Sequence, residues 1–142
     1  MAIRRATAVW EGDLKTGTGR LSTPSGELKD VKYTFDTRFA DKFGTNPEEL
    51  IAAAHSACLA MNLSGVLGQE GITADSIDVS AEVTLSTSAA GAEISGIDIT
   101  LRAAVPGLDA ARFAELASTA ERTCPVSKAL AATKITLDAA LA

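Results

Sequence analysis

Strict alternation of apolar and polar positions marks the strands of this chain. It is cleanest over 76–86 (SIDVSAEVTLS) and 92–105 (AEISGIDITLRAAV), which read as a long antiparallel pair with the loop TSAAGA between them. Residues 3–10 (IRRATAVW) and 31–39 (VKYTFDTRF) are also strand-like, the second through Val31, Tyr33 and Phe35. The segment between them carries Gly17, Gly19, Pro24 and Gly26 and suits hairpin connections around a short strand. Its GTG is followed by arginine and leucine, without the lysine and helix of a phosphate loop. A last strand-like run, KITLDAAL, closes the chain at 134–141.

Helical spacing takes over elsewhere. Residues 45–71 predict the longest helix: Asn46 is a good N-cap, Pro47 fits the first helical position, and Glu48 and Glu49 suit the positive end of the dipole. Apolar residues run nearly all round it (Leu50, Ile51, Ala54, Ala57, Cys58, Met61, Val66, Leu67), which predicts burial on most sides, with Gly68 or Gly71 ending it. Residues 109–123 predict an amphipathic helix with an inner stripe of Phe113, Leu116, Ala117 and Ala120. Pro125 breaks it and starts a second short helix, PVSKALAA. With no internal repeat and no linker, the expectation is one α+β domain over 1–142.

Composition narrows the partners. At 142 residues the chain can bury one modest core, and with only 4% aromatic residues small side chains fill much of it. Association with a second copy would add the apolar burial such a core lacks. A net charge of −5 leaves no basic stripe for a nucleic-acid backbone. No uninterrupted run of about 18 apolar residues occurs, so no membrane span is expected. The N-terminal MAIRRATAVWEGD lacks an apolar leader segment and a cleavage site, so a cytoplasmic protein is expected.

The chemistry rests on two cysteines, Cys58 and Cys124, and one histidine, His55. Three such ligands are too few for an ordinary structural zinc site, and a static disulfide is unexpected in the cytoplasm. Cys124 directly precedes Pro125, at a helix start where unpaired amides and the dipole lower a thiol's pKa. Cys58 lies about three turns into the long helix, beyond reach of the dipole, so desolvation raises its pKa and reaction there requires a cation. His55 is three residues back on the same helical face, which leaves open a Cys-His nucleophile pair. Arg38, upstream of the helix, is another candidate cation.

Taken together, VWEGD (9–13), TRF (37–39), GTNPEELIAAAHSACLAM (44–61), VPGLDAARF (105–113) and CPVSKAL (124–130) resemble one family along the whole chain, osmotically inducible protein C and organic hydroperoxide resistance proteins (OsmC/Ohr), and the OsmC branch in particular. The resemblance implies a fold of antiparallel sheets wrapped around a long central helix in an intertwined homodimer. It also implies a peroxidase without a cofactor, reducing organic hydroperoxides and hydrogen peroxide in oxidative and osmotic stress. Carried over by position, Cys58 is the peroxidatic cysteine, Cys124 the resolving one, Arg38 the residue that activates the thiol, and Glu48 the acid that holds Arg38. Glu49 and His55 are secondary candidates.

On that reading the Cys58 thiolate attacks the O–O bond and becomes a sulfenic acid, which Cys124 converts to a disulfide. A dithiol reductant, such as a dihydrolipoyl protein, reopens it. Phe39, Phe43, Ile51 and Met61 flank these residues and are candidates to line an apolar mouth favouring organic peroxides. Glu48 and Cys58 are ten residues apart on one predicted helix, roughly 15 Å along its axis, so a composite site at a homodimer interface is expected. Three alternatives use the same residues: a cysteine hydrolase through His55 and Cys58, a noncatalytic binding dimer, and a metal site of Cys58, Cys124 and His55.

Overall fold

Two three-stranded sheets hold every strand in the computed structural model, which describes residues 1–142. The chain divides into two compact units, Met1–Leu50 and Ile51–Ala142.

The first unit is a meander of β1 (Thr7–Glu11), β2 (Thr18–Ser22) and β3 (Val31–Tyr33), antiparallel throughout. The register sets Trp10 opposite Gly19 and Gly19 opposite Tyr33. A Cβ on Gly19 would fall 2.2 Å from a Tyr33 ring carbon, so only glycine lets that ring lie over the β2 backbone. Tyr33 and Trp10 then pack with ring centroids 5.7 Å apart. The expected strand at 3–10 begins only at Thr7, because its partner ends at Ser22 and Thr23 turns back to bond Leu28.

The expected strand over 31–39 is corrected more sharply. After Tyr33 the chain forms a short helix, α1 (Phe35–Phe39). Thr34 and Thr37 build a reciprocal capping box, each side chain accepting from the other's backbone N–H, at 3.3 and 2.9 Å. Those local bonds override the alternation of Tyr33 and Phe35. Arg38 therefore sits in the last turn of a helix, not at a strand end.

The long helix, α2 (Pro47–Gln69), starts where expected. Asn46 Oδ1 accepts from the Glu49 N–H at 2.8 Å, and Asn46 Nδ2 donates to the Thr37 carbonyl at 2.9 Å, tying α1 to the helix start. Past Gln69, Gly71 takes φ +73° and closes the end.

In the second unit, β4 (Ser76–Ser88) and β5 (Gly91–Ala104) form the expected antiparallel pair, with β4 running on to Ser88, β5 starting one residue earlier than read from sequence, and a tighter turn between them. Then come α3 (Ala110–Thr123), α4 (Pro125–Ala129) and β6 (Ile135–Leu141). β6 joins β5 in parallel, so this sheet is not wholly antiparallel; α3 and α4 supply the long connection a parallel neighbour requires. The core combines Leu59, Leu63 and Leu67 of α2, Ile97, Ile99 and Leu101 of β5, and the expected stripe Phe113, Leu116, Ala117 and Ala120 of α3.

Burial of α2 on most sides does not hold. Ala54, Ala57, Met61, Gly65 and Gly68 are exposed, Met61 at 78%, and they follow one another at helical spacing. By length and hydropathy α2 is also apolar enough to cross a membrane, so the absence of a span does not follow from composition. A core helix passes the same test, and Leu59, Leu63 and Leu67 bury fully against protein.

Candidate functional site

The predicted residues gather into two constellations, one in each unit. In the first, Arg38 meets Glu48. Arg38 Nε donates to Oε1 and Oε2 of Glu48 at 3.1 and 3.2 Å, and Nη2 donates to Oε1 at 2.7 Å. Glu48 is only 6% exposed, so this carboxylate is committed to the pair. Nη1 is not used by Glu48 and remains a donor for an anionic or peroxidic oxygen. Glu49 is exposed, and its contribution is an amide hydrogen for the Asn46 cap. Between the two neighbouring acids, Glu48 is the one that holds the arginine.

The guanidinium lies 5.2 Å from the centroid of the Phe39 ring, at the edge of a cavity of about 260 Å³ walled by Trp10, Leu14, Tyr33, Phe35, Phe39 and Pro47. Of the four residues read as a pocket lining, Phe39 borders this cavity. Phe43 is fully exposed and lines a separate depression with Lys32 and Lys42. Ile51 is half-buried on α2, and Met61 belongs to the exposed stripe. Neither Phe43 nor Met61 borders the cavity beside Arg38.

The second constellation is sulfur chemistry. Cys58 and Cys124, 66 residues apart, stand with their Sγ atoms 3.3 Å from each other, both as free thiols. Cys124 is fully buried and Cys58 is partly exposed. Closing that gap to the roughly 2.05 Å of a disulfide takes little movement. Burial pushes the Cys58 thiol up; the Val126 amide opposes this, and the adjacent Cys124 reinforces it. Burial also opposes ionisation of Cys124, yet the Ser127 amide, the Cys58 thiol, the Ser127 hydroxyl and the Val126 amide outweigh it and bring that thiol down. The start of α4 thus favours the Cys124 thiolate, as its position before Pro125 predicts.

Two polar residues that carry no role in the sequence reading hold this arrangement. Asn62, one turn beyond Cys58, donates to the Ala120 carbonyl at 2.7 Å and to Thr123 Oγ1 at 2.9 Å, pinning α2 to the end of α3 beside Cys124. Ser127, three residues after Cys124, is buried and bonds His55 Nε2 at 2.8 Å. His55 is fully buried, and burial pushes its pKa below the ordinary 6.5, against the pull of Glu121. Its hydrogen bond goes to Ser127 and not to Cys58, which removes the base a Cys58 hydrolase would need. An asparagine in the apolar run of α2 and a serine in the alanine-rich segment after Pro125 are the sequence signals that could have found them.

Comparison with known proteins adds to this geometry. The family model described as "OsmC-like protein" matches residues 39–138. Peroxiredoxin OsmC of Escherichia coli (strain K12) is 49% identical over 135 residues, covering 95% of this chain and 94% of that protein. The organic hydroperoxide resistance protein of Xanthomonas axonopodis pv. citri is 37% identical over 89 residues, 61% of this chain and 59% of its own. The crystal structure of the organic hydroperoxide resistance protein OhrB of Bacillus subtilis superposes with a TM-score of 0.74 at 26% identity, covering 99% of this chain and 100% of that one. The chain belongs to the OsmC-like family.

Proposed function

We propose that this protein is a thiol-dependent peroxidase that reduces organic hydroperoxides, and hydrogen peroxide less readily, through a Cys58 sulfenic acid and a Cys58–Cys124 disulfide. The observation that carries this reading is the pair of free thiols 3.3 Å apart. The Cys58 thiolate attacks the distal oxygen, the O–O bond breaks, and the alcohol leaves after taking up a proton. Cys124 attacks the resulting sulfenic sulfur, the S–O bond breaks, and water departs. A dithiol reductant, which we take to be a lipoyl-type protein, restores both thiols. No cofactor enters any step.

Burial holds the Cys58 thiol up, so its attack requires a cation. We assign that cation to Arg38, aimed by Glu48, and place the working site at the interface of a homodimer. The exposed stripe Ala54, Ala57, Met61, Gly65 and Gly68 supports the dimer, since small residues let two helices approach closely. An antiparallel pairing of two such helices would bring the partner subunit's Glu48 toward Cys58, the separation that one straight helix forbids. In that assembly the 142 residues act as a single domain, in the cytoplasm.

The apolar cavity beside Arg38 takes the alkyl group, and the free Nη1 of Arg38 takes the peroxide oxygen. The test is to treat the reduced protein with one equivalent of an alkyl hydroperoxide and to read intact mass and free thiols. Wild type should lose two hydrogens and both thiols. Cys124→Ser should retain a single oxygen on Cys58. Unchanged mass with both thiols intact would refute the peroxidase.

A further inference from the structure

The two sulfurs form the middle rung of a ladder. Along α2, His55, Cys58 and Asn62 are spaced by three and four residues and share one face of the helix. Their partners run the opposite way, from α4 back into α3: Ser127, Cys124 and Ala120, with the same spacing. His55 Nε2 meets Ser127 Oγ at 2.8 Å, the sulfurs stand 3.3 Å apart, and Asn62 Nδ2 donates to the Ala120 carbonyl at 2.7 Å. A polar rung therefore flanks the thiol pair on each side, about one helical turn away.

The Asn62 rung reaches the backbone of Cys124 directly. The Ala120 carbonyl accepts the Asn62 amide and also the Cys124 N–H, the latter at 2.9 Å. The other hydrogen of the Asn62 amide goes to Oγ1 of Thr123, the residue before Cys124, at 2.9 Å. A carbonyl can only accept, so the Asn62 nitrogen and not its oxygen faces α3, and both of its hydrogens are spent there.

We propose that Asn62 is a positioning residue for the redox pair: its double donation holds the end of α3 in register with α2, keeps Cys124 within reach of Cys58, and favours the disulfide over the dithiol. That a peroxide drives disulfide formation rests on the peroxidase reading. The clamp itself does not.

The first link between two segments bears the entropy of aligning them, and a second link then forms at a higher effective concentration. The Asn62 clamp and the disulfide are two such links, so each favours the other by the same factor. Loss of the clamp should lower the equilibrium constant for disulfide formation roughly tenfold, the scale of one to two net hydrogen bonds. An asparagine with a merely structural role would stabilise dithiol and disulfide forms alike and leave that constant unmoved.

The test equilibrates the full chain in graded redox buffers of dithiothreitol and, for higher potentials, glutathione, and reads the disulfide fraction by thiol alkylation and intact mass. Cys58 and Cys124 give up two electrons and two protons as their S–S bond forms, and the oxidised reagent takes them as its own S–S bond opens. Asn62→Ala removes both donors without weakening α2, since alanine is the better helix former. Its midpoint should move about 30 mV toward less negative potential, the tenfold change converted for two electrons. Asn62→Gln keeps both donors and should recover more than half of that shift. With excess alkyl hydroperoxide, Asn62→Ala should also carry more of Cys58 on to the sulfinic acid, because the disulfide closes more slowly. A wild-type midpoint in Asn62→Ala, or an equal shift in Asn62→Ala and Asn62→Gln, overturns the clamp. If wild type forms the disulfide in redox buffer but not with peroxide, the peroxidase reading fails, while the midpoints still decide the clamp. No disulfide in wild type under either condition overturns both.

Discussion

Two acids stand side by side at the start of α2, and the structure separates them by what each touches. Glu48 is buried against the Arg38 fork, while Glu49 faces solvent. Glu48→Gln should therefore cut kcat/KM for an alkyl hydroperoxide by about tenfold or more, the scale of a lost charge-assisted bond, and Glu49→Gln should change it little. Steady-state kinetics on the pair decides this. His55 gives a pH dependence of known sign. Burial depresses its pKa below the ordinary 6.5, so the unfolded chain binds a proton that the folded chain refuses. Stability is then complete above about 6.5 and falls as the pH drops through the depressed folded value. Urea midpoints measured from neutral pH to about 5.5 should fall more steeply in wild type than in His55→Gln.

At the level of elements, the first turn of α2 does two jobs through one side chain. Asn46 Oδ1 caps the helix, and Asn46 Nδ2 holds the Thr37 carbonyl, so the helix that carries Arg38 is docked by the cap itself. Asn46→Ala loses both and should cost about 1 kcal/mol or somewhat more in chemical denaturation. Asn46→Asp keeps the cap, adds a charge that suits the dipole, and loses the bond to Thr37. Its stability should stay near wild type while hydroperoxide turnover falls, because Arg38 is then less firmly placed. Turnover unchanged in Asn46→Asp would show that docking of α1 does not matter to the reaction. Elements with short-range causes were legible: the α3 stripe, the α2 cap and the β4–β5 alternation all follow from neighbours a few residues apart. The α1 helix was misread because two threonines, each weak evidence alone, satisfy one another's backbone.

For the whole molecule the question is how much of α2 is covered. Its exposed face carries Ala54, Ala57, Met61, Gly65 and Gly68, and the first unit also leaves Ile3, Val9, Leu14 and Phe43 in water. A monomer with so much apolar surface has reason to associate. Met61→Glu replaces a side chain that is 78% exposed, so the single chain should fold as before. Size-exclusion chromatography with light scattering should find wild type dimeric and Met61→Glu monomeric, with peroxidase activity lost alongside the dimer. A fully active monomer would refute the shared site.

By itself, the sequence determined most of the local elements and the α+β class, and it nominated Arg38, Cys58 and Cys124 with an acid at the start of α2, because caps, breakers, periodicity and the family motifs are written within short windows. It also assigned the acidity trend of the two thiols, since position along a helix decides how far the dipole reaches. Only the tertiary structure decided that β6 runs parallel to β5, that residues 66 apart bring their sulfurs within 3.3 Å, and that Glu48 rather than Glu49 takes Arg38. It also showed that His55 serves Ser127 instead of Cys58. Each of these depends on which side chains long-range packing sets face to face, and such pairings leave no mark on the spacing of residues along the chain.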